Sequence, residues 1–433
     1  MVEYVTESYF LRCNFMRTVG IIAEYNPFHN GHLYQLNHIR EELQTDYIVV
    51  AMSGDYVQRG TPALLPKHTR ADMALSCGAD LVLEIPASFS SASAEYFAGS
   101  GIQLLDGTGV ADILCFGAET DNLPLIKKIA SVLHEEPLQY REALRQKLRQ
   151  GLSYPAARSH ALETYFSESS SPVEVSAEEL RQILKEPNNI LGTEYCRALL
   201  RQESSIIPYV LKRSGASFHE TVLTPEKLPS ATAIRNIVAQ NSADILGQRD
   251  SLKQSLPAPA LTLLQDCINQ NGFLLESDFD LLLHYCLLSQ DVSSLQQYAD
   301  ISEHLARRIR NCLNQYEGFS QFTALLKTKE LTYSHIQRGL LHILLQIREI
   351  PSSMPYIRVL GFRKESTALL HEIKKRASLP LITRMADAPS VLDEKQLMVF
   401  HQNTFASNLY ESVLCKKAGR PFVHEYRKQL VIR

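Results

Sequence analysis

Two histidines separated by Asn30 and Gly31 stand where an apolar run gives way to a polar turn. The stretch reads Gly20-Ile21-Ile22-Ala23-Glu24-Tyr25-Asn26-Pro27-Phe28-His29-Asn30-Gly31-His32-Leu33. Two imidazoles, one on each side of a glycine, can donate hydrogen bonds to phosphoryl oxygens as negative charge builds on them. Such charge develops on the α-phosphate of a nucleotide and on the departing pyrophosphate during nucleotidyl transfer. Gly31 is expected to let the backbone approach the nucleotide, where a side chain would collide. One histidine at a helix start reads as a cap or a packed core residue. A His-x-Gly-His pair at a strand–helix junction favours chemistry.

The elements that must position this pair are legible. Val19–Ala23 reads as a buried strand. Leu33, Leu36, Ile39 and Leu43 recur near the 3.6-residue helical period and give the following helix its apolar face. The helix start offers unpaired N–H groups and a positive dipole end to phosphate. Further strands are expected at Tyr47–Met52, Asp80–Ile85, Ile113–Phe116 and Ser205–Val210, with helices at 68–78 and 94–105. This alternation implies βαβ units and a parallel sheet covered on both faces. Ligands then bind beyond the carboxyl ends of the strands.

Five further groups are candidates to complete the site. Ser230-Ala231-Thr232-Ala233-Ile234-Arg235 offers hydroxyls and a helix start with an arginine, suited to the β- and γ-phosphates. Gln58 and Arg59 follow a strand end. Lys67 precedes a helix and is expected to neutralise pyrophosphate. Gly117, in Phe116-Gly117-Ala118-Glu119, would admit adenine or ribose close to the backbone, and Asn188 or Asn189 would read its edge. Taken singly each is an ordinary loop or cap, but a parallel sheet gathers such positions at one edge. No GxxxxGK[ST] and no GxGxxG occurs, so neither a P-loop nor the usual dinucleotide fingerprint applies.

The 433 residues suggest two to three domains. Residues 1–15 lack the basic start and apolar core of a signal peptide and are expected to be an N-terminal extension. Residues 16–245 form the expected catalytic domain and 246–433 a mostly helical one. In the second part helices are read at 252–264, 279–288, 301–316, 322–327, 334–350 and 367–377, with small extended pieces at 351–363 and 379–383. Ser167–Pro172 is expected to be an exposed loop. No apolar run approaches the roughly 18–20 residues of a membrane span. Eight cysteines are scattered without a C-x-x-C pair, which fits free thiols in a reducing cytoplasm. The histidines show no metal-ligand spacing. From Leu331 to Arg433 sixteen Lys/Arg face eight Asp/Glu, although the whole chain carries −3. Such asymmetry suggests an anionic macromolecular partner or a merely solvated basic surface.

With these residues in hand, the chain resembles the bacterial tRNA(Met) cytidine acetate ligase family, within the HIGH-type nucleotidyltransferase group. The matching words include GIIAEYNPFHNGHL (20–33), AMSGDYVQRGTPALLPK (51–67), GADLVLEIP (78–86), FGAE (116–119), NNILGTEY (188–195), LKRSGASFHE (211–220), SATAIR (230–235), IQRGLLHILL (336–345) and RVLGFRK (358–364). The resemblance implies an α/β, Rossmann-like nucleotidyltransferase domain followed by a mostly α-helical, tRNA-binding one. It also implies that ATP and Mg²⁺ activate acetate as acetyl-AMP. The acetyl group then passes to the wobble cytidine of elongator tRNA(Met), giving N4-acetylcytidine. Family ATP contacts carry over to Gly20–Leu33, Gly117, Asn188 or Asn189, and Arg235. Ser334-His335 stands where a more basic residue is expected.

The expected mechanism has acetate attack the α-phosphate in line while His29, His32 and Arg235 stabilise the developing charge, with Ser230 at the phosphates. Lys67 and Mg²⁺ neutralise pyrophosphate, and no covalent acyl-enzyme forms. One rival is an adenylyltransferase acting on a small metabolite without RNA. The other is a non-catalytic RNA-binding protein on a relic nucleotide fold.

Overall fold

The computed structural model describes residues 16–168, 177–213, 230–240 and 249–433. The expected extension 1–15, the loop from residue 169 to 172 and the expected boundary at 245 lie outside them. Ser167 itself still belongs to the helix Tyr154–Glu168.

Ten strands are present among the described residues: β1 Thr18–Ala23, β2 Tyr47–Ser53, β3 Tyr56–Val57, β4 Thr61–Pro62, β5 Leu81–Ile85, β6 Ile113–Ala118, β7 Ile207–Lys212, β8 Ile357–Phe362, β9 Leu381–Ile382 and β10 Val431–Ile432. The main sheet runs β10-β8-β5-β2-β1-β6-β7, with β9 added on β8, and β3 and β4 make a separate hairpin. Every pairing in the main sheet is parallel except β5 with β8. The chain lays down β1, β2 and β5 to one side, then crosses to place β6 and β7 on the other side of β1. The strand order therefore reverses between β1 and β6, where doubly wound sheets open a crevice.

Both faces of the central strands are buried, so those strands are mostly apolar. Val19 and Ile21 join Ile48, Val50 and Val82 in one layer, against Leu36 and Ile39 of helix α1 (Asn30–Glu42). Ile22, Val49, Ala51 and Leu83 form the other layer, against Ile102 and Leu105 of α2 (Ala94–Gly107). The alternation follows from successive side chains leaving opposite faces of a strand. Helix α3 (Pro187–Arg201) joins the second layer, and α4 (Ala231–Gln240) inserts Ile234 and Val238 into the first.

The second half is mostly helical, with its own core of Leu283, Leu305, Phe322, Leu340 and Tyr410. It is not a body apart. The extended pieces read at 351–363 and 379–383 are strands β8 and β9 of the main sheet, and β10 follows at the C-terminus. β8 covers the edge of β5, which would otherwise expose unpaired backbone groups. The helix expected at 252–264 is two, Arg249–Ser255 and Ala258–Asn271. Pro257 between them lacks an N–H and restricts the residue before it. Glu394–Ala418, a 25-residue helix, went unread despite an Asp393/Gln396 capping box and Gly419 in a left-handed C-cap.

Candidate active site

The His-x-Gly-His turn is itself the cap of α1. His29 is the N-cap residue, and its Nδ1 accepts the Gly31 N–H at 3.0 Å. The His29 N–H in turn donates to His32 Nδ1 at 3.2 Å. The two histidines thus form a reciprocal capping box in which imidazoles replace the usual hydroxyl and carboxamide. A ring nitrogen that accepts an N–H carries no proton, so each neutral imidazole bears its proton on Nε2. The rings stack 3.7 Å apart with their planes at 19°. Burial pushes the His29 pKa down to about 3, with Arg213 and Arg235 acting in the same direction. Burial, His29 and Arg213 lower that of His32 as well. The cap bonds thus fix the tautomer and leave each Nε2 as the donor.

Packing holds the turn. The backbone of Tyr25 is left-handed, with φ of 45°, and its buried ring meets Phe28 edge-on at 4.9 Å and His32 at 4.7 Å. Gly31 has a second use besides the expected one. A Cβ there would lie 2.9 Å from His29 Cε1, so the glycine also makes room for the imidazole.

A cavity opens at the crevice between β1 and β6. Its walls include Ile22, Ala23, Glu24, Tyr25, Asn26, His29, Gly31 and His32 from the first motif. Gly117, Asn188, Ser230, Thr232 and Arg235 line it from the others. The two motifs about two hundred residues apart meet directly: Arg235 Nη1 donates to the Asn26 carbonyl at 2.8 Å, and Nη2 to Thr232 Oγ1 at 3.0 Å. Ser230 Oγ accepts the Ala233 N–H at 3.1 Å at the start of α4. Glu24 Oε1 accepts the Gln58 N–H at 2.9 Å, which pins the β3–β4 hairpin and its Gln58–Arg59 tip to the cavity wall.

The two asparagines left open in the sequence differ in position. Asn188 lines the cavity, and its Nδ2 donates to Glu119 Oε1 at 2.6 Å. Asn189 is buried behind it, and its Oδ1 accepts the N–H groups of Glu119 and Thr120 at 2.9 and 3.1 Å. It clamps the end of β6 and does not reach the cavity. Gly20, Ile21, Pro27, Phe28, Asn30 and Leu33 are likewise absent from its walls. Gly20 is a packing position, since a Cβ would meet Leu105 Cδ1 at 2.7 Å. At Gly117 a Cβ would make only ordinary contact with Arg213 Cγ, at 3.4 Å. The packing around it therefore does not demand a glycine.

Lys67 overturns an expectation. It starts the helix Lys67–Ser76, is not among the residues lining the cavity and is 1% exposed. Its Nζ lies 2.7 Å from Glu84, 2.8 Å from Glu425 and 3.5 Å from Asp55, and it donates to Ser407 Oγ at 2.7 Å. Arg358 Nη1 and Nη2 bridge Glu84 and Glu425 at 2.6 Å each. Lys67 thus ties the nucleotide half to the C-terminal segments and is not placed to touch pyrophosphate. The cation that the sequence reading missed is Arg213, which lines the cavity just past β7. Its signal was Lys212-Arg213 at the carboxyl end of a strand, where the topology puts ligands.

Among the described residues, no cluster of three or more His, Cys, Asp and Glu could hold a metal, and the one carboxylate in the cavity wall is Glu24. A lone carboxylate suits Mg²⁺ that arrives on substrate phosphates with most of its waters, and does not make a protein cage. Among the described residues no helix is long and apolar enough to cross a membrane.

A mostly parallel, doubly wound sheet with a His-x-Gly-His cap at its switch point defines a nucleotidyltransferase fold, and the family model HIGH Nucleotidyl Transferase matches residues 16–422. Within that group the chain belongs to the tRNA(Met) cytidine acetate ligase family. It is 37% identical over 400 residues to the protein of that name from Clostridium novyi, covering 91% of this chain and 95% of the relative. The Acetivibrio thermocellus protein of the same name is 34% identical over 427 residues, covering 96% and 100%. The apo crystal structure of Thermotoga maritima TmcAL superposes with a TM-score of 0.90 at 30% identity, covering 96% and 99%. A second crystal form of that protein, bound with alpha-thio ATP, gives a TM-score of 0.87 at 31% identity over the same shares.

Proposed function

We propose that this chain activates acetate with ATP and transfers the acetyl group to the wobble cytidine of elongator tRNA(Met). The observation that carries the first half is the pair of Nε2–H donors fixed by the α1 cap, in one cavity with Arg213 and Arg235. Acetate attacks the α-phosphorus, the bond to the β-phosphate oxygen breaks, and pyrophosphate leaves. His29 and His32 donate to the oxygens that gain charge. Arg235 and Arg213 face the phosphates, while Ser230 and Thr232 at the start of α4 offer hydroxyl and backbone donors. Gly117 and Asn188, across the crevice, bound the space for adenine and ribose. Mg²⁺ enters with ATP and screens its phosphate charge. Lys67 has no part in this step.

The second half follows from the names of the relatives and from the weak nucleophilicity of a cytosine amine. N4 attacks the acetyl carbonyl of acetyl-AMP, AMP departs and one proton leaves the amine. Reaching that carbon requires a base drawn out of its stack. The chemistry is positioning and electrostatics, with no acyl-enzyme. A reducing cytoplasm suits the seven described cysteines, all free thiols.

The test is incubation with ATP, radiolabelled acetate and total bacterial tRNA, followed by nucleoside analysis. Labelled acetylcytidine confined to one tRNA is expected. Pyrophosphate exchange that requires a metabolite other than acetate, with no labelled RNA, would replace this reading by an adenylyltransferase.

A further inference from the structure

A second cavity, of about 970 Å³, lies beside the first and shares Gln58 and Arg59 with it. Its other walls come from the loop 327–332 and the start of the helix Tyr333–Leu345 (α5 hereafter). The junction is rigid. Gly60, at φ of +81°, packs so tightly on this helix that a Cβ would lie 2.7 Å from the Arg338 nitrogen. The hairpin tip is thereby clamped between the two spaces, with the Gln58 N–H on Glu24 on one side and Gly60 on α5 on the other.

The lining of this second space is cationic. Arg59, Lys327, Lys329 and Arg338 contribute to it, and no carboxylate does among the described lining residues. Arg338 Nε is already committed to Asp300 Oδ2 at 3.1 Å, while Lys327 and Lys329, like Arg59, are exposed. The start of α5 adds its positive dipole end. Tyr333, 37% exposed, supplies an aromatic face at the rim. Glu276 is the opposing charge, and it acts on Arg235 in the first cavity and on Tyr333 in the second. A long basic groove with an aromatic platform suits a single strand whose phosphates follow the cations and whose bases stack. A small anion would leave most of the space empty.

We infer that this cleft holds the sugar-phosphate strand flanking the reacting base of the RNA substrate, and that Gln58–Arg59 is the sill over which that base passes to the acyl donor. The inference rests on the proposed RNA-directed function and assigns its docking surface.

The test uses the full chain carrying Lys327→Ala with Lys329→Ala, in parallel with wild type. Acetate-dependent ATP–pyrophosphate exchange reads the first cavity, and tRNA affinity as a function of salt reads the second. Expected are unchanged exchange, at least a tenfold loss of tRNA affinity at low salt, and a shallower log–log salt slope. Two lost phosphate contacts on a single strand should reduce that slope by about 1.4. Tyr333→Ala should slow transfer to tRNA about tenfold, with Tyr333→Phe restoring it. Wild-type affinity and slope in the double lysine variant would overturn the inference. So would loss of exchange, which would make the cleft part of the nucleotide site. Failure of the wild type to use acetate, with RNA affinity still dependent on the lysines, would remove the proposed acid and leave the cleft assigned.

Discussion

Replacing Lys67 with methionine should destabilise the protein and spare its chemistry. Lys67 and Arg358 are the two cations among the three carboxylates Asp55, Glu84 and Glu425, all nearly inaccessible to water. Burial and Arg358 work against the charge on Lys67, but Glu425, Glu84 and Asp55 outweigh them and raise its pKa above the ordinary value. Methionine fills most of the volume and leaves the three buried carboxylates with Arg358 as their one ion-paired cation, Arg70 acting on Asp55 and Glu84 from nearby. Breaking a buried pair in this way costs about 3–5 kcal/mol. Across 433 residues the unfolding entropy is about 0.9 kcal/mol/K if the chain melts as one unit, so the melting temperature should fall by about 4 °C. The deficit should narrow in acid. Burial opposes the Glu425 charge, yet Lys67 and Arg358 hold its pKa well below the usual carboxylate range. Its contribution is therefore present above the unfolded value near 4.3 and lost as pH falls through the folded one, more so in the wild type. Thermal melts at several pH values, with pyrophosphate exchange assayed well below the transition, separate the two roles. An unchanged melting temperature with a hundredfold slower exchange would refute this placement and return Lys67 to the phosphates.

The imidazoles invite a direct kinetic check. His29→Ala and His32→Ala should each slow pyrophosphate exchange about 10²–10³-fold, with the double variant far from the product of the two, since the rings act as one stacked unit. Losing the His29 cap should cost about 1 kcal/mol of stability as well. The asparagines should part company: Asn188→Ala raises the KM for ATP, while Asn189→Ala leaves two backbone N–H groups of the β6 turn unpaired and costs about 1–3 kcal/mol. Urea midpoints for the first and KM for the second should stay near wild type. Acid should weaken the ligand-free fold through the histidines. Burial lowers both folded pKa values, to about 3 for His29. Their stabilisation is thus complete above the unfolded value near 6.5 and declines below it, by about 1.4 kcal/mol per imidazole at pH 5.5. Urea titrations at pH 7.5 and 5.5 measure the decline, which a His29→Gln/His32→Gln variant should lack.

The strands and the first helix were legible because each is buried on a predictable face. Ile113–Ala118 is an unbroken apolar run, Leu81–Ile85 is apolar but for Glu84, and Leu36 and Ile39 sit at helical spacing. The pairing of His29 with Arg235 was also within reach, since both stand where the topology gathers loops. Two other features were not. Nothing in the local pattern around Lys67 distinguishes a lysine that meets phosphate from one that meets Glu425, because its partners lie between β2 and β3, in β5, in the helix Glu394–Ala418 and near the C-terminus. Likewise Ile357–Phe362 has the composition of a strand, but its place beside β5 depends on a return of the chain from more than two hundred residues downstream.

The charge count shows the same limit from the other side. A basic C-terminal quarter suggested a binding face, yet much of that charge is matched within the fold. Arg358 meets Glu84, Arg433 meets Asp72, Lys417 meets Asp278 and Arg338 meets Asp300, each pair joining the basic segment to the acidic one that precedes it. Arg420 and Lys428 share Glu411. The asymmetry along the sequence therefore serves first to fasten the returning C-terminal strands to the nucleotide half. Cations committed in this way add little to the field seen by a distant polyanion, since each sits within about 3 Å of a countercharge while the Debye length is about 8–10 Å. The exposed lysines beside the candidate site lie elsewhere in the count: Lys327 and Lys329 precede the basic quarter altogether. Net charge by segment is thus a poor locator of a nucleic-acid surface in a fold whose ends interleave, and exposure beside the chemistry is the better one.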